Sequence, residues 1–307
     1  MMRPDAPLAF DAVLLAGPTA SGKTAAALAL AERIGGAIIN ADSLQIYREL
    51  ATLSAAPGSG DRARRPHHLF GHVGVHEAYS VGRYVQEAGA ALTRVRAEGH
   101  VPIFCGGTGL YFTALVDGIA DIPQVPPQIR TAVAKAREEL GPARFHAELV
   151  RRDPASAGLN PADTQRTLRA MEVLEASGAP LSYWQSRPAP AVLAGLRLQR
   201  FVLSPPRAEL YGRIDARFLR MLDEGALEEA RALTNLDQGL PAAKALGLRP
   251  LKDYLAGRST LPEAVVRSQT ATRNYAKRQL TWFRQRMADW NWVGDSNIII
   301  TNSLSDT

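Results

Sequence analysis

Apolar positions in the first hundred residues follow two alternating patterns, which together predict a parallel α/β sheet. Short unbroken apolar runs, the mark of strands buried on both faces, occupy 13–16, 37–39 and 101–105. Helical stretches at 24–34 and 81–98 lie between them and stop at Gly35-Gly36 and at Gly99. No hairpin signal separates the strands, so helices must carry the crossovers. Functional residues of such sheets gather beyond the carboxyl ends of the strands. Three polar or glycine loops begin at such ends, after Ala16, Ile39 and Cys105. The second strand is expected to lie beside the first.

Near residue 120 the pattern changes. A proline-rich connector at 121–127 leads into helical spacing, with Ile129, Val133, Ala136 and Leu140 on one stripe and Gly141-Pro142 as its stop. A second helix is expected over 164–176, with Leu168, Met171 and Leu174 inward, and 198–203 returns to strand character. The predicted fold class is α/β: a P-loop NTPase-like core with a parallel sheet (1–120 and 196–307), C-terminal helices, and a helical insertion domain over 121–195.

Composition narrows the picture only a little. Of 307 residues, 46% are hydrophobic and 21% charged, which is ordinary for a globular chain. No run approaches the roughly 18 apolar residues of a membrane span, and the N-terminus is a poor signal peptide. The single Cys105 excludes an internal disulfide and any multi-cysteine zinc site. A cytoplasmic location is therefore expected. The formal charge of +6 is moderate, and its placement matters more than its size.

Gly17-Pro18-Thr19-Ala20-Ser21-Gly22-Lys23-Thr24 matches GxxxxGK[ST] between a strand and a helix. Glycines let several backbone N–H groups face one anion, and the following helix adds its positive end. Lys23 supplies a full charge, and the Thr24 hydroxyl suits Mg²⁺ bound to the phosphates. A di- or triphosphate site follows, although the loop does not say which compound fills it. Asp42, just past the second strand, suits a proton acceptor, a magnesium ligand or a turn cap equally well. The loop Gly106-Gly107-Thr108-Gly109 either admits a ligand beside the Thr108 hydroxyl or is simply a tight turn.

Basic residues cluster twice. Arg273, Lys277, Arg278, Arg284 and Arg286 fall in 272–287, which holds no acidic residue, with Ala276, Leu280, Phe283 and Met287 opposite. Gln165, Arg166 and Arg169 share a face in the insertion. Either cluster alone reads as a solvated surface; two together favour a phosphate-backbone partner. His67-His68 has no third ligand nearby and reads as loop, and Cys105 as an inert buried thiol.

With these motifs assembled, the chain resembles the tRNA dimethylallyltransferase (tRNA isopentenyltransferase) family over about residues 12–290. GPTASGKT at 17–24 is followed in family order by NADSLQIY at 40–47, PHHL at 66–69, GGTGLYF at 106–112, DTQRTLRAMEV at 163–173, RIDARF at 213–218 and YAKRQLTWF at 275–283. The resemblance implies that the P-loop, from Gly17 through Thr19, Ala20, Ser21, Gly22 and Lys23 to Thr24, grips dimethylallyl diphosphate, helped by Arg213 and Arg217. It implies Mg²⁺ as cofactor. It makes Asp42 the base that deprotonates the N6 amine of an adenosine beside the anticodon, and Thr108 the contact to the bridging oxygen of the diphosphate. It also lays Asp42, Ser43, Leu44 and Gln45, Thr108, Arg130, and Gln165, Arg166, Thr167, Leu168 and Arg169 against the anticodon arm. Arg273, Lys277 and Arg284 join them as the basic face of the C-terminal helix. A monomer is expected.

Two segments depart from the family pattern. Leu53-Ser54-Ala55-Ala56-Pro57 replaces a sequence close to GTAKP, so Ala56 stands where a lysine is usual, and Leu246-Gly247-Leu248-Arg249-Pro250 lacks the family aromatic. The missing cysteines place the chain with the bacterial form, which has no zinc finger. Two rival readings are a small-molecule enzyme (a P-loop kinase or a prenyltransferase acting on free nucleotide) and a non-catalytic nucleic-acid-binding module. The insertion and the basic helix count against the first, and the P-loop against the second.

Overall fold

The computed structural model describes residues 8–187, 189–295, 297 and 299, which divide into two compact units. One lies within 1–116 and 192–307, the other within 117–191. The first begins β1 (Ala12–Ala16), α1 (Lys23–Ile34), β2 (Gly36–Asn40), α2 (Ser59–Arg64), β3 (His67–His68), α3 (Val81–Ala97), β4 (Val101–Gly106) and α4 (Gly109–Asp117). The second holds α5 (Pro127–Arg152), α6 (Thr164–Ser177) and α7 (Leu181–Gln185). The first then resumes with β5 (Leu198–Leu203), α8 (Arg207–Asp223), α9 (Ala226–Ala232), α10 (Leu248–Leu255), α11 (Leu261–Arg286) and β6 (Asn291–Val293).

Among the described residues, six strands form one parallel sheet in the order β3-β2-β4-β1-β5-β6. This corrects the expected neighbourhood of the first two strands: β4 lies between β1 and β2. The parallel register puts Ala16 opposite Gly106 and Asn40 opposite Cys105. The loops after β1, β4 and β2 therefore leave the same edge side by side, with the glycine loop in the middle. Strand period two divides the core. Val13, Leu15, Ile38 and Ile103 face Ala27, Leu30 and Ile34 of α1, while Leu14, Ile39 and Phe104 join a layer with Tyr84, Phe112 and Phe283.

Two local expectations change, and one short strand is added. His67 and His68 form a two-residue edge strand paired to Ile38 and Ile39, not a loop. The three-residue β6, closing the other edge, is too short to show an alternation. In the second unit Gly141 (φ 74°, ψ 163°) does break the helix, but helical structure resumes and continues to Arg152. Phe145 and Leu149 of that second half are buried with Val133, Met171 and Leu174, and this burial outweighs the Gly-Pro interruption.

Candidate active site

Residues 17–22 carry the chain from β1 into α1. Ala20 (φ 64°) and Gly22 (φ 94°) both turn left-handed, and the first is a strained choice for a residue with a Cβ. The Ser21 N–H donates to the Pro18 carbonyl at 3.2 Å, while the buried Ser21 hydroxyl has no partner among the described residues. Lys23 is buried, and its Nζ donates to the Pro18 carbonyl at 3.3 Å. Burial lowers its pKa, with the Asp42 carboxylate pulling the other way. Arg217 of α8 donates to the Thr19 hydroxyl. It is half-buried as a residue, yet the packing around its guanidinium lowers its pKa to about 10, again against the pull of Asp42. Arg213, one turn earlier, is exposed and paired with Glu209, and donates to the Ser21 carbonyl at 3.0 Å. Two enclosed cations thus share one nearby carboxylate, and the loop is short of negative charge. An oxyanion fitted there would relieve both.

Asp42 is set by its neighbour Asn40. The buried Asn40 side chain accepts the Asp42 N–H at 2.8 Å and donates to the carbonyls of Asp42 and Leu69 at 2.9 and 3.0 Å. One Asp42 carboxylate oxygen, Oδ1, accepts the Leu44 N–H at 3.0 Å; Oδ2 has no hydrogen-bond partner among the described residues. The capping role is therefore real but uses only half of the group. Thr108 joins this loop to the glycine loop: its N–H donates to the Ala41 carbonyl at 3.1 Å, and its Oγ1 accepts the Ser43 N–H at 2.9 Å.

That joint is possible because Gly106 lacks a side chain. A Cβ there would sit 2.0 Å from the Ala41 carbonyl carbon and oxygen. The obstacle is backbone, so it cannot swing aside as a side chain tip would. Gly106→Ala is expected to cost about 3 kcal/mol or more, beyond ordinary overpacking. A thermal melt checks this, and an unchanged midpoint would show that the two loops yield easily.

Gln279 of α11 was absent from the expected site. It is buried; its Oε1 accepts the Thr19 N–H at 2.9 Å and its Nε2 donates to the Gly107 carbonyl at 2.7 Å. The signal was present as a polar residue on the inward stripe Ala264, Ser268, Thr272, Ala276, Gln279 and Phe283, all buried. Thr19, Asp42 and Arg217 also line one cavity together with Leu53, Phe218 and Leu246, so polar and apolar walls meet beside Asp42. The segment with the unusual Ala56 is secured without a lysine. Glu229 accepts the N–H groups of Thr52 and Leu53 at 2.8 and 2.9 Å, and the Gln45 amide donates to the carbonyls of Ser54 and Ala55.

Residues 45–286 match the model of the family described as IPP transferase, and residues 10–63 match that of isopentenyl transferase. The chain belongs to the IPP transferase family. It is accordingly a prenyltransferase enzyme with the α/β, P-loop core of its relatives. It is 50% identical over 282 residues to a tRNA dimethylallyltransferase of Parvibaculum lavamentivorans, covering 91% of this chain and 89% of the relative. It is 48% identical to that of Rhodospirillum centenum, at 92% and 91% coverage. The full-length tRNA isopentenylpyrophosphate transferase of Bacillus halodurans is similar in structure, with a TM-score of 0.66, 31% identity, and coverage of 95% of this chain and 93% of that one. A eukaryotic dimethylallyltransferase acting on tRNA gives a TM-score of 0.72 at 25% identity, covering 89% of this chain and 69% of its own.

For this family member the expected tRNA contacts divide by exposure. Arg130, Gln165 and Arg166 are exposed in the second unit, and Arg169 is half-buried. Burial lowers the Arg169 pKa, with Glu172 at 4.0 Å pulling the other way and the Arg130 charge adding to the lowering, while Arg166 lies 3.4 Å from the Asp163 carboxylate. Leu168 is half-buried against the unit's core. Thr167 is fully buried, and its hydroxyl donates to the Asp163 carbonyl at 2.8 Å, so its side chain is turned into the unit and not presented on its surface. Gln45 is likewise buried, with its amide held by the 54–55 carbonyls. Ser43 and Leu44 are half-buried beside Asp42, the latter on the cavity wall. On α11, Lys277 and Arg284 are exposed, but Arg273 is paired with Asp215 at 2.6 Å and is largely spent.

A magnesium ion fits this site in one manner only. No group of three or more His, Cys, Asp or Glu side chains is gathered for a metal among the described residues. Thr24 on the first turn of α1, the unpartnered Ser21 hydroxyl and Asp42 Oδ2 are hard oxygen donors. Such a sparse set suits Mg²⁺ held largely through substrate phosphates and water. Cys105, whose thiol burial raises to about 12, is no ligand. No helix among the described residues is long and apolar enough to cross a membrane.

Proposed function

We propose that the enzyme transfers a dimethylallyl group from dimethylallyl diphosphate to the N6 amine of the adenosine at tRNA position 37, next to the anticodon, and releases diphosphate. The observation that carries this reading is the pair of enclosed cations, Lys23 and Arg217, beside a carboxylate with one idle oxygen. The cations and the α1 N-terminus hold the diphosphate and stabilise the charge that grows on it as the C1–O bond breaks. Asp42 Oδ2 accepts the N6 proton as the N6–C1 bond forms, so base and leaving group are served from opposite loops. Thr108, at the junction of those loops, reaches the bridging oxygen by exchanging its bond to Ser43. Thr24, with Ser21 as a further oxygen donor, would hold Mg²⁺ on the diphosphate, where the ion would add charge neutralisation.

The anticodon arm is recognised through Arg130, Gln165, Arg166 and Arg169 in the insertion domain of 121–195, and through Lys277 and Arg284 on α11. The adenosine leaves its stack to reach the donor, at low cost in an anticodon loop. The enzyme works as a monomer in the cytoplasm, where its acceptor is found.

Labelled dimethylallyl diphosphate offered with unmodified tRNA, AMP or ATP tests the reading. Label must appear in tRNA alone; transfer to the free nucleotides would return the small-molecule alternative. Neutralising Arg166 with Arg169, or Lys277 with Arg284, should weaken tRNA binding. Each duplex phosphate deprived of its cation should flatten the log–log salt dependence by nearly one unit, and each single-stranded phosphate by less. Equal affinity and slope in both variants would reduce these residues to solvated surface.

A further inference from the structure

We infer that Gln279 is a positioning residue that fixes the spacing between the phosphate loop and the loops that carry the base. This rests on the assignment of donor and proton acceptor to those loops. One chain of hydrogen bonds crosses the site. It starts at the Thr19 N–H, passes through both ends of the Gln279 amide to the Gly107 carbonyl, and continues from adjacent Thr108 to Ala41 and Ser43, which flank Asp42. Among the described residues no other side chain is hydrogen-bonded to both the phosphate loop and the glycine loop. The fit is close: a Cβ on Gly107 would lie 2.4 Å from Gln279 Nε2.

β1 and β4 are paired up to Ala16 and Gly106, but beyond those residues nothing in the sheet ties their loops together. Transfer requires the donor carbon and the acceptor nitrogen to approach to about 3–3.5 Å, and an error of about 1 Å costs on the order of 10²-fold in rate. An amide is suited to this link because it accepts at one end and donates at the other. A carboxylate or an aliphatic chain of equal length satisfies at most one end. Gln279 touches neither substrate in this scheme; it acts through the loops that do.

The test uses the full-length variants Gln279→Met and Gln279→Glu, with folding followed by thermal melts. Both should lower the single-turnover rate at saturating donor and tRNA by about 10²-fold, with tRNA affinity unchanged. The glutamate variant keeps the acceptor for Thr19 but adds charge beside the diphosphate, so it should also bind inorganic pyrophosphate more weakly than the methionine variant. A wild-type single-turnover rate in either folded variant would overturn the inference. So would a loss of tRNA affinity that saturating tRNA fully repairs, which marks a direct acceptor contact instead. If neither variant folds, the residue is structural and the inference falls. Failure of the wild-type enzyme itself to prenylate tRNA would strike the functional reading and not Gln279.

Discussion

Asp42→Asn will lower the rate of prenyl transfer by about 10²–10⁴-fold, the usual worth of a positioned general base, and leave tRNA binding intact. The amide keeps the shape of the carboxylate, and its oxygen can still accept the Leu44 N–H that Oδ1 accepts now. The turn built by Asn40 therefore survives. What is lost is Oδ2 as a proton acceptor, because an NH₂ in that place only donates. A second readout separates this account from simple damage to the pocket. Asp42 is the carboxylate that opposes the lowering of the Lys23 and Arg217 pKa values, so it partly neutralises the cations that await the donor. Removing its charge should leave affinity for inorganic pyrophosphate undiminished. Single-turnover rates with labelled donor, alongside pyrophosphate calorimetry, decide the matter. Normal turnover would leave Asp42 as a turn cap only.

Lys23→Ala acts on the opposite partner and should show the opposite pattern. One hydrogen bond to a charged group is worth roughly 1.5–3 kcal/mol, so donor affinity should fall about ten- to hundredfold. Folding should not suffer in proportion. Burial lowers the Lys23 pKa, which means that the folded protein holds this ammonium at a cost, and among the described residues only the Pro18 carbonyl accepts from it. The same shift sets a pH dependence. The free enzyme loses the Lys23 charge at a lower pH than an ordinary lysine does, so wild-type donor affinity should decline as pH rises through that lowered value. The alanine variant, having no such proton, should lack this alkaline decline. Donor affinity and pH profile both equal to wild type would remove Lys23 from the diphosphate site.

The strands β1, β2, β4 and β5, together with α1, α3 and the phosphate loop, were legible because each is specified by its own local residues. A buried parallel strand reads as an unbroken apolar run, and the loop motif fixes its geometry through glycine and a helix start within eight residues. The break at Gly141 was legible for the same reason, but the resumption of α5 was not: Phe145 and Leu149 become inward-facing only once α6 lies against them. Exposure was equally hidden. Thr167 and Gln45 sit in segments that resemble tRNA-contact segments of the family, and whether their side chains point outward depends on the packing around them.

By itself, then, the sequence determined that this protein is a parallel α/β enzyme with a phosphate loop, and through its ordered motifs it determined the family. Those properties are carried by short stretches whose chemistry survives out of context. Only the tertiary structure decided that β4 separates β1 from β2, and hence that the glycine loop stands between the phosphate loop and Asp42. Strand order arises from which crossovers bury the most surface, and no local pattern encodes it. The tertiary structure likewise decided that Gln279, 260 residues along the chain from Thr19, closes the site. A buried amide is recognisable on a helix stripe, but its partners exist only after the helix has docked.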